Sequence, residues 1–144
     1  MTRTNFRRSL NPVSRDAAQA LRDYGISPSA QRVAVASYVL NTEDHPSADE
    51  VWTRVRETFP HVSRATVYNT LKLLVTKGLL RQHAITEGRV IFDPNVAPHH
   101  HLIDEDTGRV HDVPWESVAL PKPPRVRGFE VSEYQVVMRG RKKR

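Results

Sequence analysis

Residues 63–77 read SRATVYNTLKLLVTK, a stretch with apolar residues at helical spacing, a serine at its start and Gly78 directly after it. It contains three basic residues and no acidic residue. Two strand-like runs follow, Leu79–Ile85 and Arg89–Phe92, and the Thr86-Glu87-Gly88 between them predicts a β-hairpin. A basic helix followed by a two-stranded wing is typical of a winged helix-turn-helix domain, in which that helix is the recognition helix.

Three shorter helices are predicted upstream of this stretch. The first two run from Ser14 to Tyr24 and from Ser29 to Leu40. The third begins at a capping box, Ser47-Ala48-Asp49-Glu50, and ends at Phe59-Pro60. Three or four short helices ahead of a wing complete the winged-helix pattern.

The polar face of helix 63–77 predicts contact with double-stranded DNA. A side chain that carries positive charge or several donors can bind phosphates and base edges. We expect Arg64 and Tyr68 to reach bases. The residues expected mainly at phosphates are Ser63, Thr66, Asn69 and Lys72. The alternative is that this helix is merely solvent-exposed, which the absence of acids and the following wing disfavour.

Composition narrows the class of protein. The 144 residues carry 22 Lys plus Arg against 16 Asp plus Glu, a formal charge of +6. No apolar run approaches the length of a membrane helix, so we expect a cytoplasmic protein with no membrane contact. The chain has no cysteine, which excludes disulfides, thiolate zinc sites and cysteine nucleophiles. Any metal must be held by His, Asp and Glu.

A boundary between two domains is expected at residues 94–98, where prolines interrupt both helical and strand periodicity. Beyond it, strands are predicted at His101–Asp104, Arg109–Val113 and Val131–Met138, with room for at most a turn of helix between the last two. About 50 residues cannot bury a self-sufficient core. We therefore expect this part to form a homodimer through residues 99–138.

Four of the seven histidines lie between positions 99 and 111. In a strand, His99 and His101 point to one face and His100 to the other. Alternating imidazoles with Asp93 and Asp112 nearby suit Fe(II), Mn(II) or Zn(II) held by nitrogen and oxygen. His100 is either exposed or an axial ligand of haem iron. A chance cluster of exposed histidines is the alternative. The context of His45 favours a loop or capping residue, and His61 and His83 are expected at the surface.

The chain resembles the ferric uptake regulator family along nearly its whole length. The matching segments are Gln31-Arg32, His45-Pro46-Ser47-Ala48-Asp49-Glu50-Val51, residues 63–71, Lys77-Gly78-Leu79, Phe92-Asp93, His99-His100-His101-Leu102-Ile103 and Asp106-Thr107-Gly108. The absence of cysteine, the histidine triplet and the Leu120-Pro121-Lys122-Pro123-Pro124 run are most similar to the iron response regulator branch of that family.

The resemblance implies an α+β protein, with an N-terminal winged helix-turn-helix domain (1–93), a hinge (94–98) and a small α/β dimerisation and sensing domain (99–144). It implies a dimeric regulator of iron or haem genes that binds an AT-rich palindromic operator and is not an enzyme. The regulatory metal would be held by His45, Asp93, His99, His101 and Asp112.

Two departures from the family pattern accompany the resemblance. The paired Cys-x-x-Cys structural zinc site is absent. A second metal site would draw on Pro98, His100, Glu116 and Tyr134, and it is expected to be degraded because proline cannot ligate and tyrosine replaces histidine. The branch also implies haem binding at His100 with His99 and His101, although its cysteine-containing haem motif cannot exist here.

Several other functions remain open at this point. A peroxide sensor of the same superfamily would use the same five residues and Fe(II)-driven oxidation of a ligand histidine, and a zinc or manganese uptake regulator is also compatible. A small metal-dependent hydrolase lacks its His-Glu-x-x-His helix and a nucleophile–base pair. A protein that only buffers metal ions would not need the predicted winged-helix domain.

Overall fold

The computed structural model of the chain describes residues 15–86, 88–118, 122 and 124–144. The expected helix start at Ser14, the turn position Glu87 and most of the proline-rich run lie outside these residues. The described residues form two compact units, unit 1 (15–96) and unit 2 (97–144). The predicted α+β class is confirmed, with helices and a small sheet in unit 1 and a second sheet in unit 2.

Unit 1 begins with four helices. They are α1 (Ala17–Asp23), α2 (Ala30–Val39), α3 (Ala48–Val55) and α4 (Arg64–Thr76). Each begins at a side chain that accepts a hydrogen bond from a free backbone amide, and these caps are Asp16, Ser29, Ser47 and Ser63. The predicted capping box is confirmed, because Glu50 also accepts from the Ser47 amide. Gly78 adopts a φ of 85°, the left-handed conformation expected after α4.

The core of unit 1 joins one face of every helix. Val35, Val51, Val67 and Leu74 have no exposed surface, and Leu71 is 1% exposed. Burying such side chains is the main favourable free energy of folding, at roughly 25 cal/mol per Å² of apolar surface. The opposite face of α4 remains outside the core and is available for contact with another molecule.

A hairpin of β1 (Arg81–Thr86) and β2 (Arg89–Asp93) follows α4. The two strands are antiparallel, and Arg81 lies opposite Asp93. The predicted hairpin is confirmed, but the first strand begins later than expected. Leu79 and Leu80 are 2% and 1% exposed and belong to the helical core, so their apolar character reflects packing under α4 and not strand pairing.

Unit 2 is a three-stranded sheet in the order β4-β3-β5. Its strands are β3 (His99–Asp104), β4 (Val110–Pro114) and β5 (Val137–Gly140), and Trp115–Ser117 forms one 3-10 turn after β4. The neighbours of β3 are antiparallel β4 and parallel β5. The strand expected at Val131–Met138 begins only at Val137. Most of the segment 131–136 is exposed, so its alternating pattern has no second buried face behind it.

None of the helices in the described ranges is long and apolar enough to cross a lipid bilayer.

Candidate metal and DNA-binding sites

His45 and Asp93 meet in unit 1 because a backbone hydrogen bond joins their neighbours. The amide of Phe92 donates to the carbonyl of Pro46 at 2.9 Å, which ties the loop before α3 to the end of β2. His45 has a φ of 50°, a conformation few non-glycine residues adopt. Its Nε2 lies 3.4 Å from Asp93 Oδ2, and the two side chains are 6% and 1% exposed. The context of His45 in the sequence, which favoured a loop or capping residue, did not indicate this buried contact with a carboxylate.

His83 is a buried neighbour of Asp93 that sequence reasoning assigned to the surface. It is 7% exposed, and a ring nitrogen lies within 4.8 Å of the Asp93 carboxylate. The strand register explains this position. Asp93 of β2 pairs with Arg81 of β1, and His83 lies two residues after Arg81, on the same face of β1. Alternation with Ile85, also buried, was the sequence pattern that could have revealed it.

His99, His101 and Asp112 converge in unit 2. His101 lies directly opposite Asp112 across the β3–β4 pair, and His99 shares their face two residues away. The Nε2 atoms of His99 and His101 lie 3.1 Å and 3.5 Å from the same atom, Asp112 Oδ1, and all three side chains are at most 5% exposed. The two imidazole rings contact edge to face at 4.6 Å.

The hydrogen bonds behind these rings set their protonation. His99 Nδ1 lies 2.7 Å from the Ala97 carbonyl, which can only accept, so Nδ1 carries the proton. His101 Nδ1 lies 3.0 Å from Gln135 Oε1 and donates in the same way. In the neutral rings both Nε2 lone pairs therefore face the Asp112 carboxylate.

While both rings are neutral, the two lone pairs and the anionic oxygen repel one another, and a bound metal cation, like a proton on Nε2, would relieve this repulsion. Ligands at about 2.0–2.2 Å from a tetrahedral first-row ion are separated by roughly 3.3–3.5 Å. The separations around Asp112 are 3.5 Å, within that range, and 3.1 Å, about 0.2 Å below it. The donor atoms are those preferred by Fe(II), Mn(II) and Zn(II). The residues of unit 2 therefore fit a divalent metal ion.

His100 faces the opposite side of β3, as strand alternation predicts, but it is neither exposed nor suited to a haem. It has no exposed surface, and its ring stacks on Trp115 at 4.6 Å. The Val136 amide donates to Nδ1 at 2.9 Å, so the neutral ring carries its proton on Nε2. Neither nitrogen offers a lone pair to iron. Trp115 in turn contacts Tyr134 at 4.9 Å, so aromatic packing joins two of the four positions named for the second metal site, His100 and Tyr134.

The exposed face of α4 carries the two residues expected to reach bases. The Tyr68 hydroxyl donates to Asp49 Oδ1 at 2.9 Å. Arg64 Nη1 lies 4.0 Å from the same oxygen, and its guanidinium lies 4.4 Å from the centre of the Trp52 ring. The hydrogen bond to Asp49 raises the pKa of the Tyr68 phenol above its ordinary value. Both side chains are thus held in place on the surface of the protein.

The residues expected at phosphates divide into two groups. Asn69 and Lys72 are exposed. The Ser63 hydroxyl accepts from the Thr66 amide at 3.0 Å and lies 2.9 Å from the Thr66 hydroxyl, so it has a structural task as a cap. Sequence reasoning missed Arg32, the basic residue of α2 that lines a groove of about 210 Å³ against α4. The sequence feature that could have drawn attention to Arg32 was the Gln31-Arg32 pair, which is part of the resemblance to the family.

Comparison with known proteins places the chain among metal-responsive regulators. The sequence profile of the ferric uptake regulator family matches residues 23–139. The peroxide operon regulator of Bacillus subtilis (strain 168) is 29% identical over 128 residues, 88% of each protein. A ferric uptake regulator from Pseudomonas aeruginosa with manganese has a TM-score of 0.63 at 28% identity, and the match covers 89% of this chain and 98% of that one.

A zinc-bound manganese uptake regulator has a TM-score of 0.67 and covers 90% of this chain and 100% of its own. Its 23% identity supports the shared fold alone. The family profile, in contrast, spans most of both units. The chain belongs to the ferric uptake regulator family.

Proposed function

We propose that this protein is a dimeric, metal-dependent DNA-binding regulator of iron-responsive genes. The observation that carries the proposal is the convergence of two imidazole Nε2 atoms on one buried carboxylate in unit 2. A second buried imidazole–carboxylate pair, His45 with Asp93, lies in unit 1. The exposed, acid-free face of α4 supplies the surface for DNA.

The metal site of this proposal unites the two groups. His45 and Asp93 contribute from unit 1, and His99, His101 and Asp112 contribute from unit 2. A ligand changes a conformational equilibrium only by binding one state better than the other. An ion that needs donors from both units favours the arrangements in which the units can share it, and so selects the spacing of the two recognition helices in a dimer.

The composition of unit 2 supports dimerisation. Among its described residues, only Ile103 and Val110 are buried hydrophobic residues, whereas Phe129 is 76% exposed and Val126 is 51% exposed. A sheet with so small a core gains stability by covering apolar surface with a second copy. A twofold dimer also matches a palindromic operator, because each half-site receives one α4.

The proposal can be tested by selecting duplexes from a random-sequence DNA library with the protein and Mn(II). We expect an AT-rich inverted repeat, called the selected duplex below. Fluorescence anisotropy should then show that Mn(II) tightens binding to it by about 5- to 150-fold relative to protein in EDTA, the usual range of allosteric coupling. Light scattering at micromolar concentration should give the mass of a dimer.

The matched variants are H99A, D112A and H111A. His111 is an exposed histidine of β4 next to Asp112, so its loss controls for removal of an imidazole from this strand. H99A and D112A should bind the selected duplex equally with Mn(II) or EDTA, and H111A should behave as the wild type. Retained Mn(II) dependence in both H99A and D112A would refute the proposed sensing role.

A peroxide sensor is the second candidate, and it is favoured by the similarity to the peroxide operon regulator of Bacillus subtilis. All five proposed ligands are nitrogen or oxygen donors, which suit Fe(II). In this reading the same five residues would hold Fe(II), which would supply the chemistry by which hydrogen peroxide transfers one oxygen atom to a ligand histidine and leaves as water. The oxidised ring would then bind the metal less tightly, and the DNA would be released.

Mass spectrometry distinguishes the two candidates. The protein loaded with Fe(II) and exposed to hydrogen peroxide should gain one oxygen atom on one of its three ligand histidines, His45, His99 or His101, if it senses peroxide, and the Mn(II)-loaded protein should not. Unmodified histidines together with Fe(II)-dependent DNA binding would favour the iron regulator.

A further inference from the structure

Asp49 is an acidic side chain on the surface proposed to face DNA. It lies in the first turn of α3 and is 59% exposed. A carboxylate near DNA phosphates is unfavourable, because like charges repel. An exposed acidic side chain on a DNA-binding surface therefore needs an explanation. Its contacts show what it does there.

A single oxygen of Asp49 engages both proposed base-reading residues. Oδ1 accepts the Tyr68 hydroxyl proton at 2.9 Å and lies 4.0 Å from Arg64 Nη1. The Arg64 guanidinium also lies over the Trp52 ring, 4.4 Å from its centre. The indole of Trp52 is itself fixed, because Nε1–H donates to the Val62 carbonyl at 3.0 Å.

We propose that Asp49 is a specificity-determining positioning residue, which holds Tyr68 and Arg64 in place on α4 and penalises binding to DNA that does not satisfy them. This inference rests on the proposed DNA-binding function and adds a mechanism for its selectivity. Asp49 itself is not assigned any contact with a base.

The selectivity follows from a difference between specific and non-specific contacts. Random DNA offers mainly phosphates, which attract Arg64 but are repelled by Asp49. A cognate base edge offers hydrogen-bonding groups that satisfy the Tyr68 hydroxyl and the guanidinium directly, and so offsets the repulsion. Asp49 therefore weakens random binding more than cognate binding.

Charge and positioning can be separated with two variants. D49N removes the negative charge but keeps an oxygen that accepts from the Tyr68 hydroxyl, whereas D49A removes both. D23N is the matched control, because Asp23 is also exposed and accepts a side-chain hydrogen bond, from Gln19 at 2.7 Å, but lies at the end of α1.

The experiment measures binding of each Mn(II)-loaded variant to the selected duplex and to a random duplex of equal length. D49N should bind the random duplex about 3- to 10-fold more tightly at low salt, with the gain fading at high salt, and change binding to the selected duplex by less than about 2-fold. D49A should in addition bind the selected duplex about 3- to 10-fold more weakly than D49N, because Tyr68 is no longer held.

A spectroscopic measurement tests the contact independently of DNA. In protein with carbon-13-labelled tyrosine, the pKa of Tyr68 should fall toward its ordinary value in D49A, because the hydrogen bond to Asp49 that raises it is gone. D23N should leave that pKa unchanged. Thermal midpoints of all variants should show that they are folded.

The outcomes distinguish this inference from the proposed function. If D49N and D23N change binding to both duplexes by the same factor, Asp49 is only one more surface charge and the inference is wrong. If the wild type selects no duplex at all, the proposed function is wrong, and this inference, which rests on it, is wrong as well.

Discussion

At the scale of single residues, the three adjacent histidines differ in the groups that they contact, although they follow one another in a single strand. All three are buried, but His99 and His101 turn their Nε2 atoms to Asp112, whereas His100 is packed against Trp115. Strand alternation predicts the two faces. It cannot predict that both faces are covered, because the cover of the second face comes from the 3-10 turn after β4.

His100→Ala should therefore destabilise unit 2 and leave the metal site intact. Removing a fully buried ring and its hydrogen bond from Val136 should lower the free energy of unfolding by about 2–3 kcal/mol. His111→Ala, an exposed histidine, should change it by less than about 0.5 kcal/mol. Urea denaturation of metal-free protein at a fixed concentration measures both effects. Loss of Mn(II) binding by folded H100A would contradict the separation of the two faces.

Gln135→Leu should weaken metal binding although Gln135 is not a proposed ligand. Its Oε1 accepts from His101 Nδ1–H and so fixes the ring with its Nε2 toward Asp112. Losing such a partner typically lowers metal affinity by about 10–100-fold. Isothermal titration with Mn(II) measures the change, and Ser132→Ala is the control on the same segment. An unchanged affinity would show that strand packing alone orients His101.

At the scale of elements, the helices were predicted well because their ends are marked by local chemistry. Ser29, Ser47 and Ser63 each cap a helix by a contact within three residues, which the sequence displays directly. The first helix, expected from Ser14, begins at Ala17 and is capped by Asp16. The strands were predicted less well, because Leu79 and Leu80 are apolar for a tertiary reason.

Ser63→Ala should destabilise α4 before it affects DNA binding. The lost cap should lower the free energy of unfolding of unit 1 by about 1 kcal/mol. Ser63→Asp should restore the stability, because aspartate is also a good cap, but weaken DNA binding, because a negative charge would then face phosphates. Urea denaturation and DNA anisotropy test the two effects separately. Unchanged stability in S63A would indicate that Ser63 serves phosphate binding alone.

At the scale of the whole molecule, the five proposed ligands came from the family resemblance more than from spacing. The sequence around Asp112 and the histidine triplet indicates a metal site, and the structure brings His99 and His101 to Asp112. His45 looks like a loop residue until the bond between Phe92 and Pro46 places it beside Asp93. A contact between residues 48 positions apart along the chain has no local signature.

A sensor of this kind must also obey thermodynamic reciprocity. If Mn(II) tightens DNA binding, then DNA must tighten Mn(II) binding, because both paths lead to the same complex. A dimer with one ion per protomer has two equivalent couplings, so the total effect on DNA affinity should equal the square of the effect on each ion. A 100-fold increase in the affinity for DNA would thus correspond to roughly a 10-fold increase in the affinity for each Mn(II) ion.

Electron paramagnetic resonance of free Mn(II), with and without saturating selected duplex, measures the affinity of each ion. Anisotropy with and without Mn(II) measures the affinity for DNA. The square relation should hold for the wild type and for H111A, and both factors should fall to about 1 in D112A. A wild type in which DNA leaves the Mn(II) affinity unchanged would mean that the ion acts only on folding or dimer assembly, because an ion that selects a DNA-binding arrangement must be bound more tightly in it.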